Sequence, residues 1–84
     1  MMTPTSPAPE YQALLDSRGL YCPEPIMLLH KKMDEMTAGE ILLVRATDPA
    51  TTRDIPKFCQ FLQHELVHQQ EDEQEYRYWI KKSN

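Results

Sequence analysis

Twice along this chain the spacing of apolar side chains changes from strand-like to helix-like, and that alternation constrains the fold more than any other feature. Residues 12–17, Gln-Ala-Leu-Leu-Asp-Ser, suit a short strand, and Arg18-Gly19 punctuates the loop after it. From Pro23 onward Ile26, Leu29, Met33 and Met36 recur at helical spacing, with Lys31, Lys32, Asp34 and Glu35 between them, and Gly39 fits the stop position. Residues 40–47 are nearly continuously apolar, as in a central strand. Asp48-Pro49 ends that strand. A second helix is expected to begin near Asp54 as N-cap, with Pro56 in its first turn. Ile55, Phe58, Cys59 and Leu62 form its apolar stripe, which Leu66 extends. Residues 66–70 and 76–81 read as two antiparallel strands joined by the acidic stretch Glu71 to Glu75, which lacks a hairpin glycine. In the last strand Tyr76, Tyr78 and Ile80 alternate with Arg77, Trp79 and Lys81, so one face is expected to be largely polar.

The order is therefore βαβαββ. Right-handed crossovers then give an α/β (α+β) two-layer sandwich, with two helices on one face of a four-stranded mixed sheet. With 84 residues the chain holds one domain, taken as 11–84. Residues 1–10 carry three of the seven prolines and no apolar pattern, and read as a disordered tail.

Composition narrows the function. The formal net charge of −4 argues against direct binding to nucleic acid, which calls for a basic footprint. Five of the 13 carboxylates fall within residues 65–75, a run that suits a solvated hairpin or a partner surface. No stretch is long enough to span a membrane, and the N-terminus lacks the basic start and apolar middle of a signal peptide. The expected location is the cytoplasm, where two cysteines 37 positions apart do not form a structural disulfide.

Chemistry concentrates at Cys22-Pro23-Glu24-Pro25. With Pro23 as the first helical residue, Cys22 becomes the N-cap, and its sulfur faces the free N–H groups of the first turn. That position lowers a thiol pKa. Glu24 and the two missing proline N–H groups oppose the effect, so moderate activation is expected. The prolines also stiffen the ledge that carries the thiol. His30 lies about two helical turns on, roughly 12 Å of rise, too far to serve as its base. Cys59, on an apolar stripe, reads as a core residue and not as a resolving thiol. A lone exposed thiol suits persulfide carriage, because a neighbouring thiol would discharge the cargo as sulfide.

Residues 15–27, Leu-Asp-Ser-Arg-Gly-Leu-Tyr-Cys-Pro-Glu-Pro-Ile-Met, resemble the Cys-Pro-x-Pro signature of the TusA family of sulfur carriers. Residues 48–59 resemble that family's second signature, and His64-Glu65-Leu66 and Tyr76-Arg77-Tyr78 extend the similarity over about residues 13–82. The resemblance implies a carrier that needs no cofactor and takes sulfur from a cysteine desulfurase as a persulfide on Cys22. It implies a relay protein as acceptor, ending in 2-thiouridine at the wobble position of certain tRNAs, with molybdenum cofactor as another outlet. Such a carrier is not a turnover enzyme, and a monomer is the simplest expectation. Partner contacts are expected to ring Cys22 at Glu24, Met27, Lys31, Asp48 and Arg53, with Pro23 and Pro25 as structural members of the motif.

The sequence also admits other readings. His64-Glu65-Leu66-Val67-His68 spells a zinc-protease motif, but that motif works only within one helix, and here a helix is expected to give way to a strand. Met27, Met33 and Met36 read as packing or surface residues and not as metal ligands, and Trp79 with Tyr76 and Tyr78 reads as sheet packing. A non-catalytic regulatory interaction module would tolerate Cys22→Ser, whereas a carrier would not. A redox-sensing thiol is the remaining alternative.

Overall fold

The computed structural model describes residues 9–83. The tail expected at 1–10 lies, apart from Pro9 and Glu10, outside the described residues. The elements run β1 (Ala13–Ser17), α1 (Glu24–Glu35), β2 (Ile41–Ala46), α2 (Thr51–Leu62), β3 (Glu65–Glu71) and β4 (Tyr76–Lys81). They form the α+β sandwich read from the sequence, with a four-stranded mixed sheet in the order β1-β2-β4-β3. β1 and β2 are parallel, and β4 is antiparallel to both β2 and β3.

The two apolar periods meet in one core. Leu42, Val44 and Ala46 of β2 and Tyr78 and Ile80 of β4 project from the helix-facing side of the sheet, all fully buried. Leu29, Met33 and Met36 from the α1 segment and Ile55, Phe58 and Cys59 of α2 close over them. Lys82 ties the end of α1 to the sheet, since its Nζ donates to the carbonyl oxygens of Met33 and Met36 at 2.6 and 2.8 Å. A cation there also suits the negative end of the helix dipole.

Several boundaries differ from expectation for local reasons. Helix α2 begins at Thr51, not near Asp54, because Asp48-Pro49 builds a turn that caps it early. Asp48 Oδ1 accepts the Ala50 N–H at 3.0 Å, and the Asp48 carbonyl accepts both the Thr51 N–H and the Thr51 hydroxyl. Pro56 consequently lies inside the helix, not in its first turn. The helix ends at Leu62, because Gln63 takes a left-handed conformation (φ 63°) and the His64 N–H closes back on the Cys59 carbonyl. Gly39, expected to stop α1, lies in the turn beyond it, since Met36 is already extended.

The sheet face away from the helices is less polar than the alternation suggested. Trp79 is 3% exposed there, paired across the ladder with Leu43 and edge-on to His68 at 4.9 Å. Its indole Nε1–H has no hydrogen-bond partner among the described residues. The hairpin closes without glycine because Asp72 Oδ1 accepts the N–H groups of Gln74 and Glu75. Glu75 then turns inward. It accepts two bonds from Arg45 and one from Arg77, each 2.8 Å, and Arg18 stands 3.5 Å away.

Arg45 and Arg77 hold the Glu75 carboxyl below the usual carboxylate range. A lowered folded pKa means that the stabilisation is complete above the unfolded value, about 4.3, and is lost as pH falls through the folded one. Arg45 and Arg77 keep roughly a third of their side-chain surface in water, which screens the pairing. Glu75→Gln should therefore cost about 1–2 kcal/mol in urea unfolding at neutral pH. The deficit should close in acid, where the wild-type carboxyl is also neutral. An equal deficit at all pH values would mean that the charge contributes nothing.

Candidate functional site: Cys22 at the mouth of an interhelical groove

Because β1 and β2 are parallel, their carboxyl ends lie at the same edge of the sheet, and the two loops that leave them meet there. The first loop turns at Gly19, whose φ of +84° is costly for any side-chain-bearing residue. Two bonds sew it to the second loop. The Gly19 N–H donates to Thr47 Oγ1 at 2.8 Å, and the Cys22 N–H donates to Asp48 Oδ2 at 2.7 Å. Asp48 thus uses one oxygen on the cysteine backbone and the other on the entry to α2. These bonds hold its carboxyl below the usual range.

Cys22 is exposed, and Cys59 is buried in the core. The sulfur sits at the mouth of a groove of about 780 Å³ between the helices. Ile26 and His30 contribute from α1, and Asp54, Lys57, Phe58 and Phe61 from α2. His30 lies edge-on to the Phe58 ring at 4.7 Å and so serves as a wall of the groove. Phe61 is 86% exposed, an unusual position for an aromatic ring on a folded domain.

The expected activation of the thiol is not found. Helix α1 starts at Glu24 with Pro23 as N-cap, so Cys22 lies one residue outside the capping position. The Glu24 N–H already bonds the Tyr21 carbonyl at 2.9 Å, and Pro25 has no N–H to offer. In place of helix donors the thiol meets carboxylates. The nearby Asp54 carboxylate, partial desolvation and the charge of Asp48 push its pKa up, and Arg53 offsets only part of this. Burial pushes the Cys59 thiol up to about 11.

The other candidates fall into two groups. Glu24, Met27, Lys31 and Arg53 are exposed but do not line the groove, and Met27 is 62% exposed. Asp48 differs from them. It is 8% exposed and both its carboxylate oxygens are engaged, so its place is inside the scaffold of the loop. Pro25 is buried under the first turn, whereas Pro23 lines the groove mouth. Sequence reasoning missed Asp54, read as a helix cap, and Phe61, which falls off the apolar stripe. That very displacement from the stripe was the available signal for Phe61.

His64 and His68 are divided as the helix-to-strand reading required. His64 lies in the loop before β3 and accepts the Ser83 N–H, whereas His68 is on β3 against Trp79. Among the described residues, no group of three or more His, Cys, Asp or Glu side chains is arranged to hold a metal ion. No helix among them is long and apolar enough to cross a membrane.

A βαβαββ frame that presents one exposed thiol beside an open groove, with its second thiol sealed in the core, defines a single-thiol α/β protein. Residues 13–82 match the family model described as Sulfurtransferase TusA, and the chain belongs to that family. It is 60% identical over 72 residues to the Sulfur carrier protein TusA of Pseudomonas entomophila, covering 86% of this chain and 90% of that one. Identity to the protein of the same name from Pseudomonas aeruginosa strain LESB58 is also 60%, over 70 residues, covering 83% and 89%. Among solved structures, the SirA-like protein from Desulfitobacterium hafniense superposes with a TM-score of 0.75 over 87% of this chain and all of that one. At 18% identity that likeness concerns the fold alone.

The two thiols should separate cleanly by reactivity. Native protein treated with iodoacetamide should take up one label per chain, mapping to Cys22 by peptide mass. Cys59 should be labelled only after denaturation. Labelling of Cys59 in the native state at a comparable rate would contradict its burial.

Proposed function

We propose that this protein is a sulfur carrier that takes a sulfur atom onto Cys22 from the persulfide of a cysteine desulfurase and hands it to a relay protein. The carrying observation is the placement of Cys22, exposed beside an open groove while the only other thiol is buried and inert. The Cys22 thiolate attacks the outer sulfur of the donor persulfide. The donor S–S bond breaks, its cysteine leaves as thiolate, and Cys22 becomes the persulfide. Transfer onward repeats the step with an acceptor thiolate as nucleophile. The sulfur itself is cargo, so the chain needs no resident cofactor, and it acts stoichiometrically, not as a turnover enzyme. The names of the relatives support this reading.

Wobble-position 2-thiouridine in tRNA is the proposed main outlet, with molybdenum cofactor as another, and the cytoplasm the proposed location. The net charge of −4 favours an arrangement in which a downstream protein, not the carrier, holds the RNA. Partner proteins are proposed to land at the groove. Phe61 lines it and is exposed, and Glu24, Met27, Lys31 and Arg53 are exposed on the same two helices. Exposed aromatic anchors of this kind contribute most where a partner buries them.

Incubation with an active cysteine desulfurase, cysteine and pyridoxal phosphate should add the mass of one sulfur atom. The addition should be removed by reductant and absent in Cys22→Ser. Phe61→Ser should retain the site yet slow loading at limiting donor by roughly tenfold, the effect of losing one interface anchor. An unmodified wild-type mass would reject the carrier role. Full biological function in Cys22→Ser would favour a non-catalytic interaction module.

A further inference from the structure

The loop that carries the thiol has little of its own to hold it. Residues 18–23 close a turn at each end, with the Leu20 N–H on the Ser17 carbonyl at 3.1 Å and the Glu24 N–H on the Tyr21 carbonyl at 2.9 Å. Both bonds are local, and neither fixes the loop against a distant part of the chain. Tyr21, beside the cysteine, is 70% exposed and so anchors nothing in the core. Among the described residues, two hydrogen bonds join residues 19–23 to the segment between β2 and α2. One runs from the Gly19 N–H to Thr47 Oγ1 at 2.8 Å, the other from the Cys22 N–H to Asp48 Oδ2 at 2.7 Å. Gripped at both points, the loop is fixed in direction as well as in place. The receiving segment is itself rooted in the core. Asp48 accepts the Ala50 N–H on its other oxygen, and its carbonyl accepts the hydroxyl of Thr51. Thr51 is 2% exposed, and its hydroxyl meets the fully buried Tyr78 phenol at 3.0 Å. A continuous series of bonds therefore runs from the core to the backbone nitrogen of the reactive residue.

We propose that Thr47 and Asp48 are positioning residues for sulfur exchange, which hold the Cys22 thiol in one place and direction so that a docked persulfide meets it in line. The inference deepens the carrier reading and rests on it for its purpose. The step itself is unchanged: the Cys22 thiolate attacks the outer sulfur, the donor S–S bond breaks, and the donor cysteine leaves as thiolate. Such a displacement needs its three sulfur atoms nearly collinear, and misplacing a reacting atom by about 1 Å can cost about a hundredfold in rate. On the carrier reading, docking draws on exposed residues of the two helices, which these bonds do not touch. A loosened loop should therefore dock as before and transfer slowly. A partner-contact role for Asp48 would instead weaken docking when the residue is changed.

The test is a single turnover. A desulfurase loaded beforehand with its persulfide is mixed with excess carrier at increasing concentrations, and transfer to Cys22 is followed by intact mass after alkylation. Thr47→Val keeps the branched shape and removes the acceptor, with no change of charge near the thiol. Its transfer rate at saturating carrier should fall about fivefold, the weight of one ordinary hydrogen bond, with the half-saturating concentration within about twofold of wild type. Thr47→Ser, which restores the hydroxyl, should return the rate to near wild type. Asp48→Asn leaves one amide oxygen for two N–H groups and should lose more than about tenfold at saturation. Because Asp48 also caps α2, Thr47→Val decides the matter if Asp48→Asn does not fold. Reaction with a small disulfide, dithiodipyridine, needs no docked approach, so Thr47→Val should stay within about twofold of wild type there. An unchanged saturating rate in either variant, failure of Thr47→Ser to restore it, or an equal loss toward dithiodipyridine would overturn the proposal. So would a loss seen only as a raised half-saturating concentration. That is the pattern of a merely destabilised protein, whose unfolded fraction lowers the effective carrier concentration and not the saturating rate. Wild-type protein that takes no sulfur from the loaded donor would sink the carrier reading and the positioning role together, whereas normal loading that Thr47→Val leaves unchanged would sink the positioning role alone.

Discussion

The site depends on one side chain, the carboxylate of Asp48. A cysteine within the six-residue loop between β1 and α1 has no fixed position of its own. What fixes it is the 2.7 Å bond from its N–H to Asp48 Oδ2, while Oδ1 accepts the Ala50 N–H at the entry to α2. The same residue's carbonyl receives Thr51, whose hydroxyl lies 3.0 Å from the buried Tyr78 phenol. Sulfur position, helix start and core are thereby linked through one residue. Parallel pairing of β1 with β2 makes the link possible, since only strands that end at the same edge bring their exit loops together.

The groove follows from how the helices share that edge. Each buries its stripe against the sheet, and the seam between them is floored by Phe58 and left open above it. The far face of the sheet, which neither helix covers, has its own sources of order. Glu75, drawn inward by three arginines, and Trp79, packed on Leu43 and His68, keep that face ordered. A small domain cannot bury a large core. Here the remaining order comes from charge-assisted bonds of good geometry.

The fold was legible because hydrophobic period alone separates these elements. The run 41–46 cannot be amphipathic, and the Leu29, Met33, Met36 spacing cannot be a strand. The burial of one thiol and the exposure of the other were legible too, since Cys59 lies on an apolar stripe and Cys22 falls in a loop. Helix starts were less so. Two residues, Asp48 and Asp54, could each cap α2, and the turn at Asp48-Pro49 that sets the start at Thr51 reads in sequence only as the end of a strand. The electrostatics of the thiol were misread for a different reason. Helix proximity is a sequence property, whereas the Asp54 carboxylate reaches Cys22 only through the fold.

A thiol with a raised pKa looks ill suited to chemistry, yet for carriage it works in both states of the protein. In the empty state few molecules are thiolate, so stray electrophiles find little to attack. In the loaded state a free thiol can steal the outer sulfur only by expelling Cys22, and a thiolate of high pKa leaves slowly. One electrostatic setting therefore slows unwanted loading and unwanted discharge together. A strongly activated cysteine would favour turnover, but it would also give up its sulfur to the abundant small thiols of a reducing compartment. With Cys59 sealed in the core, no intramolecular discharge competes either. On the proposed reading a partner is met at the groove that Cys22 and Phe61 both line, so recognition and sulfur transfer share one surface.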